Sequence, residues 1–430
     1  MEKALDDCRH HLRRRRWAQV NLLDAAPGYG RRLIELAAGA VLSEALAPEV
    51  CIAPRPLSPE AAGWGGRWRH ALCFAASPLF THEFYPLAVD ALVRDAACQG
   101  RPRFAPLGVH LDWLDEGGKL SRALWLDAEG ACLREAELDS PLVSHSAHFL
   151  CLGSREQGLH HRWSARLACP QVNPAGAAGL ADDKGSSLEG WGAAGVRVPA
   201  WRRCGPGDQE EARAWLRRLG EVVVKPNRGT EGEGVAFFAR GEEAGLERHL
   251  QALWSQGDAL LQERADDLVF RDPGTGRSHT LSLRLNLAAA EGRCWAESGY
   301  AQVGAGPDQP AAGSQGARCL PIDEVLPHLV RRGDGRPAPM PAPAWAGIIE
   351  EAEAAAGLFA GLLLAGLDLV LALGESGAVV PVFLEANARP AGLGHSRFVQ
   401  GPERGQPGVS LRMWDALEYL VEGRNCEHSG

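Results

Sequence analysis

The stretch that decides the fold is Val222-Val-Val-Lys-Pro-Asn-Arg-Gly-Thr-Glu-Gly-Glu-Gly-Val-Ala-Phe-Phe238. Its β-branched start predicts a strand that carries Lys225, and the apolar residues from Val235 predict a second strand. The loop between these strands contains Gly229, Gly232 and Gly234. Because glycine has no Cβ, the N–H groups of such a loop can approach a ligand and form a concave anion site. The pattern therefore predicts a polyphosphate-binding loop, with a glycine-rich hairpin that binds no phosphate as the alternative.

Length, composition and charge limit the class of protein. The chain has 430 residues, which suggests roughly two to three domains. Hydrophobic residues make up 45% of it, enough for a large core. The formal net charge of −9 predicts no broad basic surface, so nucleic acid is not an expected partner. The basic run at residues 13–16 fits a solvated helix face better than a nucleic-acid or membrane patch.

Targeting and redox signals favour the cytoplasm. The N-terminus, Met1-Glu-Lys-Ala-Leu-Asp-Asp7, is polar and acidic, so no signal peptide is expected. No uninterrupted apolar run reaches the roughly 20 residues that cross a bilayer, and no membrane partner is expected. The 11 cysteines occur singly with no C-x-x-C pair. This spacing favours free thiols in a reducing compartment and argues against a structural zinc site.

Residues 1–170 are predicted to form an N-terminal domain with a βαβ unit. A strand is expected at residues 17–24, and a glycine turn then leads to a helix at residues 31–38. Leu33 stands where a dinucleotide-binding turn would have its third glycine, so this unit is interpreted as structural. Further strands are predicted at residues 70–76, 123–127 and 132–138, the last two as a hairpin.

A Pro/Gly/Ala-rich break at residues 171–179 predicts a boundary, and a second domain is expected at residues 171–425. Residues 200–265 within it are expected to form a lid subdomain around the glycine loop. Helices are predicted at residues 180–188, 209–219, 346–365 and 409–421, and strands at residues 195–201, 259–263, 280–288, 367–373 and 379–385. Residues 304–345 are predicted to be a long loop with one short helix near Glu324, and such loops are often functional.

Oxygen donors are concentrated on two neighbouring predicted strands. Asp368 lies on the first strand, and Glu385 and Asn387 lie on the second. Side chains two residues apart in a strand point the same way, so Glu385 and Asn387 can share one site. Carboxylates together with substrate phosphates are ligands that Mg²⁺ prefers. The Glu-x-Asn pair alone could be a strand end without a ligand, but with the cations Lys184 and Arg284 the set predicts a magnesium and phosphate site.

Taken in their order along the chain, the motifs at residues 170–400 resemble those of the ATP-grasp superfamily. The resemblance rests on Asp183-Lys184 before a Gly-Val-x-x-Pro stretch, Lys225 with its glycine loop, Leu261-Gln-Glu263, Arg284 on its strand, Gly366-Leu-Asp368, and Phe383-Leu-Glu-Ala-Asn-Ala-Arg-Pro390. The sequence has no G-x-x-x-x-G-K-[ST] motif, which disfavours a Walker-type ATPase. The resemblance implies an α/β (α+β) chain. An N-terminal βαβ pre-grasp domain is followed by an ATP-grasp fold of two α+β subdomains that clamp the nucleotide.

The resemblance also implies the nucleotide and metal ligands. Lys184 and Lys225 would contact ATP, and the loop at residues 229–234, with Thr230, would close over the β- and γ-phosphates. The implied adenine hinge consists of Gln262, Glu263 and the backbone of Ala265. Asp266 or Asp267 would hold the ribose hydroxyls. Two Mg²⁺ ions, for which Mn²⁺ could substitute, would be held by Asp368, Glu385 and Asn387.

The remaining implied roles concern the reaction. Arg284 would stabilise the transferred phosphoryl group and the tetrahedral species that follows it. Arg389 and the loop at residues 392–396 would face the substrates, while His395 in that loop is interpreted as a structural histidine. Ser314 and Arg318 are candidate specificity residues because their loop is expected near the metal site.

The implied function is an ATP-dependent ligase that joins a carboxylate, from an amino acid or small acid, to an amine. The reaction would pass through an acyl phosphate and give an amide or peptide bond, ADP and phosphate. The layout of the N-terminal region resembles that of peptide ligases from natural-product biosynthesis, and homodimers are common in the resembled family. One alternative is an ATP-grasp kinase that phosphorylates a hydroxyl or an enol. A regulatory protein with an inactive nucleotide site is a third reading, which the intact set of charged residues disfavours.

Overall fold

The computed structural model describes residues 50–53, 55–74, 80–97, 103–127, 132–150, 157–230, 232–312, 315–400, 404–405 and 408–427. The strand and helix predicted at residues 17–38, and Ser314, lie outside the described residues. The first elements are β1 (Val50–Ile52), β2 (Trp68–Phe74), α1 (Phe80–Ala97), β3 (Phe104–His110), β4 (Leu120–Asp127), β5 (Cys132–Leu142), β6 (Ser146–Phe149), α2 (Gln157–Ser164) and β7 (Gln171–Val172).

These N-terminal strands form one mixed sheet in the order β1-β5-β4-β3-β2-β6-β7. Strands β2 and β3 pair in parallel and are connected through α1, so they form a βαβ unit. The described βαβ unit therefore spans residues 68–110, later in the chain than the one predicted from the glycine turn. The predicted strand at residues 70–76 is confirmed as β2, and the predicted hairpin strands are confirmed as β4 and β5.

The next elements are α3 (Ala175–Ala181), α4 (Lys184–Ala193), β8 (Trp201–Cys204), α5 (Gln209–Leu219), β9 (Glu221–Pro226), β10 (Ala236–Ala239), α6 (Glu243–Trp254) and β11 (Ala259–Glu263). Their strands form an antiparallel sheet in the order β10-β9-β11-β8. The apolar faces of α5 and α6 cover it through a small core that includes Leu216, Leu250 and Val224. The predictions of α5, β9 and β11 are confirmed, and the glycine loop connects the paired strands β9 and β10.

Two predictions before this sheet were wrong. The single helix predicted at residues 180–188 is two helices: α3 ends at Ala181, and Asp183 caps α4 by accepting the Ser186 N–H at 3.0 Å. The strand predicted at residues 195–201 begins only at Trp201. Pro199 has no N–H to contribute to a strand ladder, which explains the later start.

The last elements are β12 (Leu268–Arg271), β13 (Ser278–His279), β14 (Leu281–Ala290), β15 (Arg293–Val303), β16 (Arg318–Leu320), α7 (Ile322–Val325), β17 (Leu329–Arg331), α8 (Ala342–Ala356), β18 (Leu364–Leu373), β19 (Val379–Asn387), β20 (Arg397–Phe398) and α9 (Leu411–Glu427). Their main sheet has the order β16-β15-β14-β18-β19, with β20 paired to β15. Strands β13, β12 and β17 form a smaller sheet. Strand β15 was not predicted, and the short helix near Glu324 is confirmed as α7.

Three boundaries in this region differ from the predictions. The helix predicted at residues 346–365 is α8, which ends at Ala356, and Gly361 then turns the chain with a φ of +90°. The apolar run that follows is strand β18, which is buried between β14 and β19. Such a run has no helix or strand period of its own. The predicted loop at residues 304–345 contains the short strands β16 and β17. Helix α9 continues past residue 421 to Glu427, and Glu422 contacts Arg103 at 3.3 Å.

The N-terminal sheet and α9 share one core. Trp414 of α9 is buried with its ring centroid 5.2 Å from that of Phe104 and 4.9 Å from that of His70. Burying a side chain of this size contributes about 2–3 kcal/mol, so this contact fixes the N-terminal sheet on the last helix. None of the helices in the described ranges is long and apolar enough to cross a membrane.

Candidate active site

One row of directly opposed residues crosses four strands of the main sheet. Tyr300 of β15 is paired with Arg284 of β14, Arg284 with Asp368 of β18, and Asp368 with Glu385 of β19. Residues opposite each other in antiparallel strands have side chains on the same face of the sheet. The strand register therefore brings residues as far apart in the chain as Arg284 and Glu385 to one place. We call these four residues the charged row.

Arg284 and Asp368 form a two-pronged ion pair at the centre of the charged row. Nε of Arg284 donates to Oδ1 of Asp368 at 2.5 Å, and Nη2 donates to Oδ2 at 2.7 Å. Both residues are buried. Burial alone would lower the pKa of Arg284, but Asp368 raises it above its ordinary value, so the guanidinium keeps its charge. Burial raises the pKa of Asp368 despite this partner.

Two lysines face the acidic end of the charged row. Nζ of Lys184 lies 3.5 Å from Oε2 of Glu385 and donates to the Gly229 carbonyl at 2.6 Å. Nζ of Lys225 donates to the Leu384 carbonyl at 3.1 Å. Burial lowers the pKa of Lys225 to about 8, and Lys184 adds to the effect while Glu385 opposes it. Burial would raise the pKa of Glu385, but the two lysines outweigh it and lower that pKa.

The donor set at this end of the sheet fits Mg²⁺. Asp368 and Glu385 are carboxylates placed directly opposite each other, an arrangement that is repulsive unless cations lie close by. Asn387 is two residues beyond Glu385 and its amide donates to Oδ2 of Asp368 at 3.3 Å. A carboxylate oxygen has more than one lone pair, so Asp368 can accept from Arg284 and still bind a metal. Within the described ranges, no group of three His, Cys, Asp or Glu side chains could hold a metal, and this set is two carboxylates and one amide.

The glycine loop between β9 and β10 is anchored through its carbonyl oxygens. Lys184 holds the carbonyl of Gly229, His249 lies 2.8 Å from the carbonyl of Gly234, and Gln315 donates to the carbonyl of Val235 at 2.7 Å. Among the described residues, the N–H groups of Gly232 and Gly234 have no hydrogen-bond partner. The carbonyl oxygens of the loop are thus hydrogen-bonded to the protein, while N–H groups remain free to donate. An anion is bound by such free N–H groups. Gly234 has a φ of +72°, a left-handed backbone conformation that glycine adopts more readily than other residues.

An apolar patch continues from the charged row along the same face of β18 and β19. Val370, Ala372 and Val382 form it, and Ala265 after β11 packs against it. Gln262 precedes Ala265 and is buried, and its Nε2 has no hydrogen-bond partner in the described part of the chain. It shares a strand face with Leu260, which is paired with Lys225, so its amide is directed toward the same cleft. A flat apolar surface beside an unsatisfied amide fits a purine base.

The two candidate ribose ligands differ in their surroundings. Asp266 is buried, and both of its carboxylate oxygens accept from Arg264, at 2.9 and 3.3 Å. Asp267 is half-buried, and its Oδ2 accepts the Leu373 N–H at 2.9 Å next to the apolar patch. Glu263 is exposed and bonds the Ala200 backbone. The geometry favours Asp267 over Asp266, an alternative that the sequence left open.

The residues expected to face the substrates lie in different environments. Arg389 is buried and bonds Asp182 and His160. The loop at residues 392–396 contacts α1, where the Glu83 carboxylate accepts the Gly392 and Leu393 N–H groups at 2.7 and 2.8 Å. His395 lies 6.1 Å from the Tyr300 ring, and burial lowers its pKa to about 4. Arg318 bonds Asp272 at 3.2 Å and lies on the edge strand β16, which β15 and β14 separate from β18.

Two residues position Arg284 in ways that were not predicted from the sequence: Tyr300 was not singled out, and Gly366 was quoted only as part of a motif. The Tyr300 ring faces the Arg284 guanidinium, with 6.0 Å between the ring centroid and Cζ of Arg284. The Tyr300 hydroxyl donates to the Ala391 carbonyl at 2.9 Å. Gly366 leaves the space that Arg284 occupies, because a Cβ there would lie 3.0 Å from Cδ of Arg284 and 2.9 Å from Cβ of Pro390. Only the strand register reveals these contacts, so no local sequence signal could have found them.

We expect Gly366→Ala to lower kcat on the order of 10- to 100-fold, because displacing a reacting group by about 1 Å has effects of that size. The added methyl group would push the Arg284 guanidinium away from the cleft. Steady-state kinetics of phosphate release measure the effect. Gly347→Ala on α8 is the matched control, because a Cβ at Gly347 would meet nothing within 4 Å. Equal kcat values in the two variants would show that Arg284 does not need this space.

Comparison with known proteins identifies the fold. No protein-family model matches the sequence, and no curated protein sequence matches it. Among solved structures, the D-cycloserine synthetase DcsG has 16% sequence identity and a TM-score of 0.50, with 82% of this chain and 99% of that chain covered. D-alanyl-alanine synthetase A from Vibrio cholerae has 13% identity and a TM-score of 0.50, with 83% and 99% covered. This likeness shows the fold, and it confirms the expected ATP-grasp architecture with a pre-grasp domain.

Proposed function

We propose that this protein is an ATP-dependent ligase that joins a carboxylate to an amine and produces an amide or peptide bond, ADP and phosphate. The observation that carries the proposal is the charged row, in which Arg284, Asp368 and Glu385 stand side by side with Tyr300 on one face of the sheet. Lys184 and Lys225 lie against its acidic end. The names of the two structures with similar folds, synthetases of D-cycloserine and of D-alanyl-alanine, support a synthetase activity.

The proposed chemistry activates the acid before the amine attacks. A carboxylate is a poor electrophile because oxide would have to leave. In the first step a carboxylate oxygen attacks the γ-phosphorus, the bond to ADP breaks, and an acyl phosphate forms. In the second step the amine nitrogen attacks the acyl carbon, phosphate leaves, and the nitrogen loses a proton. Both steps require stabilisation of negative charge more than covalent participation by the protein.

The chain's own residues supply that stabilisation. Lys184 and Lys225 neutralise phosphate charge, and Arg284 is held by Asp368 at the edge of the cleft. Asp368, Glu385 and Asn387 would hold Mg²⁺, which neutralises phosphate charge when bound. The free N–H groups of the glycine loop are suited to the β- and γ-phosphates. A closed loop also excludes water, which would otherwise hydrolyse an acyl phosphate.

The nucleotide would lie along the face of β18 and β19, with the base on the apolar patch next to Gln262. In this orientation Asp267 is the ribose ligand. We expect Asp267→Asn to raise the KM for ATP roughly 10-fold, because a hydrogen bond to a charged group contributes about 1.5–3 kcal/mol. Asp266→Asn should instead lower the melting temperature, since it leaves Arg264 without its buried partner. A raised KM for ATP in Asp266→Asn alone would reverse the assignment.

Phosphate release in the presence of ATP, Mg²⁺ and pooled amino acids, followed by mass spectrometry, tests the proposal. Free phosphate, ADP and a product lighter by one water than its two substrates are expected. A stable phosphorylated product without free phosphate would indicate the kinase alternative. The amino-acid pool can then be divided until one acid and one amine remain, which identifies the substrates.

We also propose that the protein acts in the cytoplasm. We propose further that its chain is divided into two domains. Five cysteines whose side chains the structure describes are free thiols, which suits a reducing compartment: Cys73, Cys169, Cys204, Cys294 and Cys319. Strand β7 (Gln171–Val172) pairs with the N-terminal sheet, which supports a boundary close to residue 172. The sheet of residues 201–263 carries the glycine loop and would be the lid subdomain.

A further inference from the structure

Arg389 follows the metal-site strand β19 by two residues, and its side chain is only 4% exposed. Its Nη2 donates to Oδ1 of Asp182 at 2.5 Å, and its Nη1 donates to Nδ1 of His160 at 2.9 Å. Both prongs of the guanidinium are thus occupied by residues of the protein. A guanidinium in this position has little surface left with which to contact a substrate.

His160 acts as a fixed acceptor for Arg389. It lies on α2 in the N-terminal part and is buried, and its Nε2 is 2.8 Å from the Asn173 carbonyl. Burial and the charge of Arg389 lower the pKa of His160 to about 4, so the ring is neutral at pH 7. Arginine can only donate, so Nδ1 accepts and the proton is on Nε2. In this tautomer Nδ1 accepts a hydrogen bond from Arg389 and Nε2 donates one to the Asn173 carbonyl.

Asn173 connects His160 to the ends of the two metal-site strands. Its Nδ2 donates to the carbonyls of Leu364 and Ala388, each at 2.6 Å, and its Oδ1 accepts the Leu363 N–H at 2.7 Å. These backbone groups lie at the start of β18 and just beyond the end of β19. The side chains of His160 and Asn173 therefore join the N-terminal part to the frame that carries Asp368 and Glu385.

Asp182 connects Arg389 to the phosphate lysine. It lies between α3 and α4, two residues before Lys184, which is the first residue of α4. Lys184 reaches Glu385 at 3.5 Å. The Arg389–Asp182 ion pair therefore ties the start of α4 to the end of β19 and brings Lys184 toward Glu385. Asn227 also holds the start of α4, because it accepts the Lys184 and Gly185 N–H groups.

We propose that His160 and Arg389 are positioning residues, which place Lys184 beside the metal site through Asp182 and do not contact the substrates. This inference rests on the proposed function of the same site. It assigns the N-terminal part a share in the phosphate site, through a histidine that touches neither nucleotide nor acid. The role differs from the one that the sequence resemblance implied for Arg389.

His160→Phe tests the proposal, with His161→Phe as the matched control, because His161 is exposed on the same helix. In His160→Phe we expect kcat to fall roughly 10- to 100-fold, the size of effect that a misplaced group causes. The Kd for the nonhydrolysable analogue AMP-PNP, measured by calorimetry, should rise at least threefold. The KM values for the acid and amine should not change. His160→Gln, whose Oε1 can accept from Arg389, should restore most of the activity.

The contacts that lead from His160 through Arg389 and Asp182 to Lys184 are called the relay below. Arg389→Met should reproduce the His160→Phe defect, and the double variant should be no worse than either single one, because both substitutions break this relay. Asp182→Asn is the second route if His160→Phe does not fold, and it should raise the Kd in the same way. Two results would overturn the proposal. One is a His160→Phe Kd and kcat equal to those of His161→Phe. The other is an Arg389→Met variant in which only the KM for the acid or amine rises.

Failure of the relay and failure of the proposed function give different results. If the wild-type protein binds AMP-PNP but releases no phosphate with any amino-acid pool, the ligase function is wrong, and the Kd values still decide the relay. If the wild-type protein ligates amino acids and the variants keep its Kd and kcat, the relay alone is wrong.

Discussion

Arg284→Met is expected to lose on the order of 10³-fold in kcat/KM, the loss seen when an arginine that stabilises a transferred phosphoryl group is removed. The variant keeps most of the side-chain volume and removes the charge held by Asp368 at 2.5 and 2.7 Å. Arg284→Lys keeps a charge without the two-pronged geometry, so an intermediate loss is expected. Steady-state phosphate release at varied ATP and amino-acid concentrations measures both variants.

The controls for Arg284→Met separate catalysis from folding. Without Arg284 the buried Asp368 is unpaired, which costs about 3–5 kcal/mol of stability. Adding Asp368→Asn should recover much of that stability in thermal melts and none of the activity. Arg277→Met removes an exposed arginine just before β13 and should leave kcat/KM unchanged. A folded Arg284→Met protein with wild-type kcat/KM would show that Arg284 does not act in the reaction.

Glu385→Gln is expected to raise the Mg²⁺ concentration for half-maximal activity by more than roughly 10-fold, because even residues that only orient metal ligands have effects of 10- to 100-fold. The substitution keeps the shape of the side chain and removes the charge that lies between Lys184 and Lys225. A second loss, in kcat, is expected because the two lysines then repel each other without a carboxylate to hold them. Titration of activity with Mg²⁺ at saturating ATP separates the two losses.

Glu375→Gln is the matched control for Glu385→Gln. Glu375 lies in the exposed turn between the same two strands, β18 and β19, far from the charged row along the hairpin. The Glu375→Gln variant should have the Mg²⁺ dependence and the melting temperature of the wild-type protein. If Glu385→Gln also shows the wild-type Mg²⁺ dependence, Glu385 is not a metal ligand, and the site assignment fails.

Features encoded by neighbouring residues could be predicted from the sequence. The glycine loop after Lys225, the helix α5 and the strands β9 and β11 depend on local composition and period, and all four are confirmed. Other boundaries were wrong because local signals, the Asp183 cap and Pro199, were not weighed. The largest error lies in an apolar run without a period, at the passage from α8 to β18. There the outcome depends on which strands are available for pairing, which a local pattern does not contain.

The arrangement of the site could be predicted only in part. Asp368, Glu385 and Asn387 could be predicted to lie close together because they are on consecutive strands, and the pairing of those strands confirms their proximity. Their role as metal ligands stays a prediction. The contribution of Tyr300 depends on β15, a strand that was missed, and the role of Gly366 depends on the side chain of a neighbouring strand. Contacts made across the register of a sheet join residues that are distant in the chain, so composition and spacing do not reveal them.

The most direct test of the ligase mechanism uses amino acids labelled with ¹⁸O in their carboxyl groups, together with ATP and Mg²⁺. If a carboxylate oxygen attacks the γ-phosphorus, the phosphate released after amine attack must contain one ¹⁸O atom, and mass spectrometry should find it in amounts equal to the amide product. Phosphate without the label, formed while amide accumulates, would contradict the acyl-phosphate pathway. A phosphorylated product that retains the γ-phosphate would contradict ligation itself.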